Sequence, residues 1–297
     1  MERLFLFLLI LATAGALGFW LVTRPVTADP DALTGLTGDA ARGAAVFHAG
    51  GCAGCHAAPD AEDEARLVLA GGRRFESPYG TFVAPNISPD PEHGIGGWDT
   101  LDLVNAMQHG VSPGGAHYYP AFPYTSYARA SVQDVVDLKA YLDTLPADAT
   151  PNAPHEIGFP FNIRRSLGAW KRLFGDDGWV VAGDGLSPEA LRGRYLAESL
   201  GHCGECHTPR GALGQLDMAA WLGGAANPAG DGRIPNITPG GLDWSEGDIA
   251  AYLETGFTPE YDVVGGEMAE VVENLSQLPR EDLAAIAAYL KAVPAVE

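Results

Sequence analysis

Positive charge is scarce in this chain: 18 Lys and Arg stand against 38 Asp and Glu, a formal net charge of -20. A balance this acidic excludes a nucleic-acid backbone as a partner, since clustered cations are needed to hold one. Cysteine is scarcer still, with four in 297 residues, all in two short clusters. Nothing in the sequence resembles a nucleotide, flavin or molybdenum site. Long apolar runs are confined to the N-terminus, where Leu4 to Val22 carries no charged residue.

The four cysteines stand as Cys52-Ala53-Gly54-Cys55-His56 and Cys203-Gly204-Glu205-Cys206-His207. Two thiols one helical turn apart can add to the two vinyl groups of one porphyrin, and the following histidine offers an imidazole to its iron. The spacing therefore predicts two covalently bound haem c groups, on Cys52 and Cys55 and on Cys203 and Cys206, with His56 and His207 as axial ligands. A zinc site would need four ligands in one place, and the clusters lie about 150 residues apart. A thioredoxin-like pair needs a βαβ context that the sequence lacks.

A run of 19 residues from Leu4 to Val22 can cross a bilayer as a helix, with Trp20 at the water interface. Val26-Thr27-Ala28 offers a cleavage site, but the run exceeds an ordinary signal core, and a retained anchor is the favoured expectation. Residues 1–30 are read as this segment. The remainder is expected on the periplasmic side of a bacterial cytoplasmic membrane, as a single-pass protein, because c-type haem is attached outside the cytoplasm.

The rest of the chain is an internal duplication. Gly43 to Phe47 precedes the first motif much as Gly193 to Leu196 precedes the second. Ala84-Pro85-Asn86-Ile87-Ser88-Pro89 is mirrored by Ile234-Pro235-Asn236-Ile237-Thr238-Pro239, Trp98 by Trp244, and Asp102 to Gly110 by Asp248 to Gly256. Each half closes with an apolar-striped helix, Asp134 to Leu145 and Glu281 to Val293, in which Tyr141-Leu142 matches Tyr289-Leu290. A glycine on the first helix of each half lets the last one approach closely, and the tyrosine fills the crossing.

Each half resembles the class I cytochrome c fold. The Pro-Asn-Ile-Ser/Thr-Pro segments, the Trp-opened helices, Tyr119 to Tyr124 and Gly265 to Val272 resemble more narrowly the cytochrome subunits of membrane-bound bacterial alcohol, gluconate and aldehyde dehydrogenases. Those subunits usually carry three haems, and this chain has two motifs. The resemblance implies an all-α protein: an N-terminal transmembrane helix, a cytochrome c domain over residues 31–146, a Pro-rich linker and basic helix over 147–185, and a second cytochrome c domain over 186–297.

In that fold a methionine in the loop before the final helix is the sixth iron ligand, and the resemblance gives Met268 this role in the second half. The first half departs from the pattern. Met268 lies 12 residues beyond Gly256, and 12 residues beyond Gly110 stands Phe122, which cannot bind iron. Three outcomes remain for haem 1. Aligning Gly114-Gly115 with Gly265-Gly266 sets His117 opposite Met268; Met107 is available but matches the apolar Leu253; or the sixth position is open.

Between the halves, Pro146 to Pro160 is followed by Phe161 to Phe174, the main basic cluster, with Ile163, Leu167, Trp170 and Phe174 at helical spacing. It is expected to pack between the domains with its cations on acidic neighbours, although an amphipathic basic helix also suits an anionic membrane or a docking partner. Together these features predict a periplasmic, membrane-anchored electron carrier rather than an enzyme in its own right. Its expected partners are redox proteins: a dehydrogenase subunit or quinol-oxidising partner on one side, a terminal oxidase or soluble cytochrome on the other. The alternative is a di-haem oxidoreductase that uses an open haem 1 on a small molecule.

Overall fold

The computed structural model describes residues 1–228, 230 and 232–297, and it is mostly helical. Helix α1 (Glu2–Val22) has no buried side chain and is long and apolar enough to cross a membrane. The first half builds α2 (Ala40–Ala49), the short α3 (Cys52–His56), a hairpin of β1 (Arg74–Ser77) and β2 (Gly80–Val83), then α4 (Thr100–His109), α5 (Tyr124–Tyr127) and α6 (Val132–Leu142). The connector contributes β3 (Glu156–Ile157) and α7 (Leu167–Phe174). The second half repeats the plan with α8 (Pro188–Tyr195), α9 (Gly204–His207), a hairpin of β4 (Ala225–Ala226) and β5 (Arg233–Ile234), α10 (Glu246–Thr255), α11 (Glu267–Leu275) and α12 (Arg280–Ala292).

Local signals explain where the repeated helices start and stop. Asp99 and Ser245 each cap a helix in a reciprocal box with the acidic residue three positions on, Asp102 and Asp248. Gly110 and Gly256 end those same helices in the left-handed region, at φ 58° and 75°. Between motif and capping glycine the two halves keep the same order of segments, over 58 positions from Cys52 to Gly110 and 53 from Cys203 to Gly256. They differ also just ahead of the motifs: Cys52 lies nine positions beyond Gly43, and Cys203 ten beyond Gly193. The extra residue is absorbed by a π-helical turn, Leu196–Leu200, which continues α8.

The glycine crossings expected from the sequence are present in both halves. α2 packs on α6 and α8 on α12. A Cβ on Gly43 would stand 2.0 Å from the Asp137 carbonyl oxygen and 2.8 Å from the Tyr141 Cβ; on Gly193 it would stand 1.8 Å from the Ala285 oxygen and 2.8 Å from the Tyr289 Cβ. Only glycine allows backbones this close. Around these crossings, apolar side chains from both halves join one core that includes Phe47, Leu69, Leu196, Leu222 and Tyr289.

The connector is not a free spacer. β3 extends the first hairpin, pairing Gly80 with Ile157, so residues 156–157 belong structurally to the first half. α7 then packs at three points, and its cations find carbonyls where acidic side chains were expected. Lys171 Nζ donates to the oxygens of His109 and Gly110 at the end of α4, both at 2.6 Å. The Trp170 indole donates to the Leu213 oxygen in the second half. Arg165 and Arg172 reach the end of α1, donating to the Trp20 oxygen at 2.8 Å and the Val22 oxygen at 2.5 Å. The physical reason is that a helix C-terminus leaves carbonyls unpaired, and guanidinium and ammonium groups satisfy them while meeting the negative end of the dipole.

Candidate functional site

The two motif helices, α3 and α9, set their histidines alike. His56 Nδ1 lies 2.8 Å from the Pro85 oxygen and His207 Nδ1 lies 2.9 Å from the Pro235 oxygen. A carbonyl accepts only, so it fixes the proton on Nδ1 and leaves the Nε2 lone pair for a metal. The Pro-Asn-Ile-Ser/Thr-Pro segments are thus backbone braces for the histidines. Their asparagines lock the brace: Asn86 Nδ2 donates to the Asp148 and Thr150 oxygens, and Asn236 Nδ2 donates to the Val296 oxygen.

The four cysteines are free thiols, Cys52 and Cys203 half-buried and Cys55 and Cys206 more open. Burial pushes the thiols of Cys52 and Cys203 up to about 12 and that of Cys55 to about 11, with Arg73 opposing the rise at Cys55. Reactive redox pairs do the reverse, lowering a thiol to expose a thiolate. These are thiols beside a metal-ready imidazole, which suits covalent attachment of a porphyrin. An arginine braces each motif turn as well: Arg73 donates to the Gly54 oxygen and Arg210 to the Glu205 oxygen.

Although distant in sequence, the motifs meet. Gly201 lies against Ala49, and Tyr127, whose hydroxyl donates to the Gly50 oxygen at 3.4 Å, meets His202 edge-on at 5.6 Å. Each half also lays its pre-final helix on the other half's motif. α11 packs on α3, with Arg66 2.5 Å from Glu270 and 3.0 Å from Glu273, and Arg73 2.7 Å from Glu267. In return α5 packs on the π turn, and Thr125 donates to Glu205 at 3.1 Å. Among the described residues no three His, Cys, Asp or Glu side chains gather to hold a bare metal ion, so the zinc alternative finds no geometry even with the motifs together.

The expected sixth ligands fall unequally. Met268 opens α11 and packs half-buried against the core. After their capping glycines the two halves run in one register: Tyr118 N–H donates to the Gly110 oxygen as Val264 N–H does to Gly256, and the bridge Val111 to His117 repeats as Phe257 to Val263. His117 therefore corresponds to Val263, and Phe122 to Met268. The Gly114-Gly115 alignment misleads because the left-handed position of this loop is Gly115 in one half and Tyr261 in the other, at φ 75° and 67°. His117 is buried, and its Nε2 lies 2.8 Å from the Thr23 oxygen at the end of α1. Met107 is 5% exposed in α4, as is its counterpart Leu253 in α10, which is core packing. Phe122 lies between the rings of Tyr118 and Tyr127.

Sequence reasoning missed one group beside the second motif. Glu198, in the π turn, is fully buried and accepts from the Val180 and Val181 N–H groups at 2.7 and 3.0 Å and from the Tyr289 hydroxyl at 2.6 Å. The unequal count of residues between glycine and cysteine was the available signal.

Comparison with known proteins gives a family model described as Cytochrome c, matching residues 40–146. A diheme cytochrome c-type protein of Cereibacter sphaeroides is 63% identical over 290 residues, covering 98% of this chain and 97% of that protein. The fructose dehydrogenase cytochrome subunit of Gluconobacter japonicus is 40% identical, and the cytochrome c subunit of the quinone alcohol dehydrogenase of Gluconobacter oxydans 39%, each over 86% of this chain. The chain spans about half of those two proteins, 52% and 55% of their lengths.

Proposed function

This chain belongs to the diheme c-type cytochrome family, and from that premise we propose that it is a membrane-anchored periplasmic relay. It carries two covalently bound haem c groups and passes single electrons between a dehydrogenase or quinol-oxidising partner and a downstream acceptor. The haems supply the one-electron iron couple when bound. Cys52 and Cys55 hold one, Cys203 and Cys206 the other, with His56 and His207 as axial ligands. Met268 is the sixth ligand of the second haem, where a thioether favours ferrous iron and a high potential.

The observation that carries this reading is that the segments leading into the two motifs abut, each motif having its histidine braced on a proline carbonyl. Two centres whose leading segments abut are within reach of each other without a moving part. The relatives that serve as cytochrome subunits of fructose and alcohol dehydrogenases support a dehydrogenase as the electron donor.

A retained anchor is supported by the junction of α1. Thr23 is fully buried, and Arg165, Arg172 and His117 all bond to carbonyls of residues 20–23. Cleavage after Ala28 would strip those partners from three cationic or imidazole groups. That junction sets the haem-binding body directly against the end of the membrane helix.

A second reading draws support from the first half. With Phe122 in the register of Met268 and His117 Nε2 held by Thr23, haem 1 has an open sixth position, on which a small molecule could react. Haem quantification and protein-film voltammetry test both readings. The relay predicts two haems per chain and two one-electron waves that do not grow when peroxide or sulfur compounds are added. A catalytic current with such a substrate contradicts the relay and supports the oxidoreductase.

A further inference from the structure

Glu198 is a charge with no ion-pair partner among the described residues, buried beside the second motif. Three donors converge on its carboxylate, two backbone N–H groups and a phenol hydroxyl. Arg129 is within electrostatic reach, but its N–H groups donate to the oxygens of Gly178, Thr125 and Asp176. The Tyr289 hydroxyl that donates to Glu198 accepts in turn from the Trp221 indole at 3.1 Å. Trp221 packs on the motif itself, where a Cβ on Gly204 would stand 2.1 Å from the ring. The chain Glu198, Tyr289, Trp221, Gly204 therefore ties a buried carboxylate to the haem-attachment turn.

The first half has no such device. Five residues beyond Gly43, where Glu198 lies five beyond Gly193, stands His48, whose Nδ1 is buried without a partner. The residue matching Trp221 is Val68, since Leu69 and Leu222 accept equivalent bonds from Ile87 and Ile237. Its smaller side chain leaves room for Ala53 where the second motif needs Gly204. The buried carboxylate and its π turn are thus an addition to one of two duplicated sites.

Burying a carboxylate without a close ion pair is costly even with donors around it. A centre that gains a positive charge on oxidation is the natural beneficiary, because the two attract in a low-dielectric interior. Resting on the reading of Cys203, Cys206 and His207 as a haem site, we propose that Glu198 is a potential-setting residue: its charge stabilises the ferric state of the second haem and offsets part of the rise that Met268 brings. It acts through space on the iron couple and touches no ligand, so its role is positioning of charge.

The test is a redox titration of the full-length holo-protein in which the EPR signals of the two ferric haems are followed separately. In Glu198→Gln the ferric-to-ferrous ratio of the second haem at fixed ambient potential falls at least threefold, about 28 mV upward at 59 mV per tenfold for a one-electron couple. The first haem moves by less. Glu198→Asp, which keeps the charge, restores most of the ratio. Tyr289→Phe, which removes a donor and unshields the carboxylate, shifts the second haem the opposite way. An unmoved second haem in Glu198→Gln with both haems bound, or shifts of one sign and size in all three variants, overturns the proposal. Failure of the underlying reading is distinct: the wild-type chain would then carry no haem on Cys203 and Cys206.

Discussion

His56 donates from Nδ1 to the carbonyl oxygen of Pro85 across 2.8 Å, and the same bond recurs between His207 and Pro235 at 2.9 Å. It aims both imidazoles before any haem arrives, and the asparagine after each proline holds the carbonyl in place. Asn236→Ala should therefore lower stability by about 1 kcal/mol, the net worth of a typical hydrogen bond at a half-buried site. Denaturant melts of the holo-protein check this. The result expected alongside is a broader distribution of ligand fields at the second haem only.

Gly193→Ala should be severely destabilising, because its Cβ meets the Ala285 oxygen at 1.8 Å and α8 and α12 must separate. A loss of about 3 kcal/mol, or roughly 5–10 °C in Tm, is expected. Gly35, with open space around it at φ 78°, should lose less on substitution to alanine, through backbone strain alone. Thermal melts of the two variants rank the costs.

Acid should weaken the fold before it touches the haem ligands. Burial holds the imidazoles of His48, His109, His117, His155 and His202 below their ordinary range. The folded state keeps them neutral while the unfolded chain takes up protons below about pH 6.5, so stability falls as pH drops from there toward the depressed values. His117→Gln should flatten part of that limb, measured by urea melts between roughly pH 7 and 5.

The mature protein should begin at its apolar helix. Intact-mass measurement on membranes is expected to find residues 1–28 present. In Arg165→Ala with Arg172→Ala, hydrogen exchange at residues 20–23 should rise, because both guanidiniums bond there. A mature chain beginning after Ala28 would contradict the anchor.

Much of this architecture is legible in the sequence because duplication repeats its signals. The two motifs, the paired Pro-Asn-Ile segments, and Gly43 with Tyr141 against Gly193 with Tyr289 each identify an element twice, and the closing helices fall within two or three residues of their expected ends. What escapes is long-range or conformational. Nothing local announces that α11 seats on α3, since Arg66 and Glu270 are 204 residues apart. The register that pairs His117 with Val263 is hidden because Tyr261 occupies a left-handed position where a glycine would be sought. The cations of α7 were matched to acidic side chains because unpaired carbonyls at helix ends have no residue type.

The central claim is that two haem sites, alike in attachment, differ in their sixth position: Met268 at one, no protein ligand at the other. An optical and EPR titration with carbon monoxide added to the reduced, full-length protein tests it most directly. The account predicts one low-spin haem that ignores the gas and one that binds it at once, with the same result in His117→Ala. Two low-spin haems that both ignore carbon monoxide, with one becoming gas-sensitive only in His117→Ala, would contradict it.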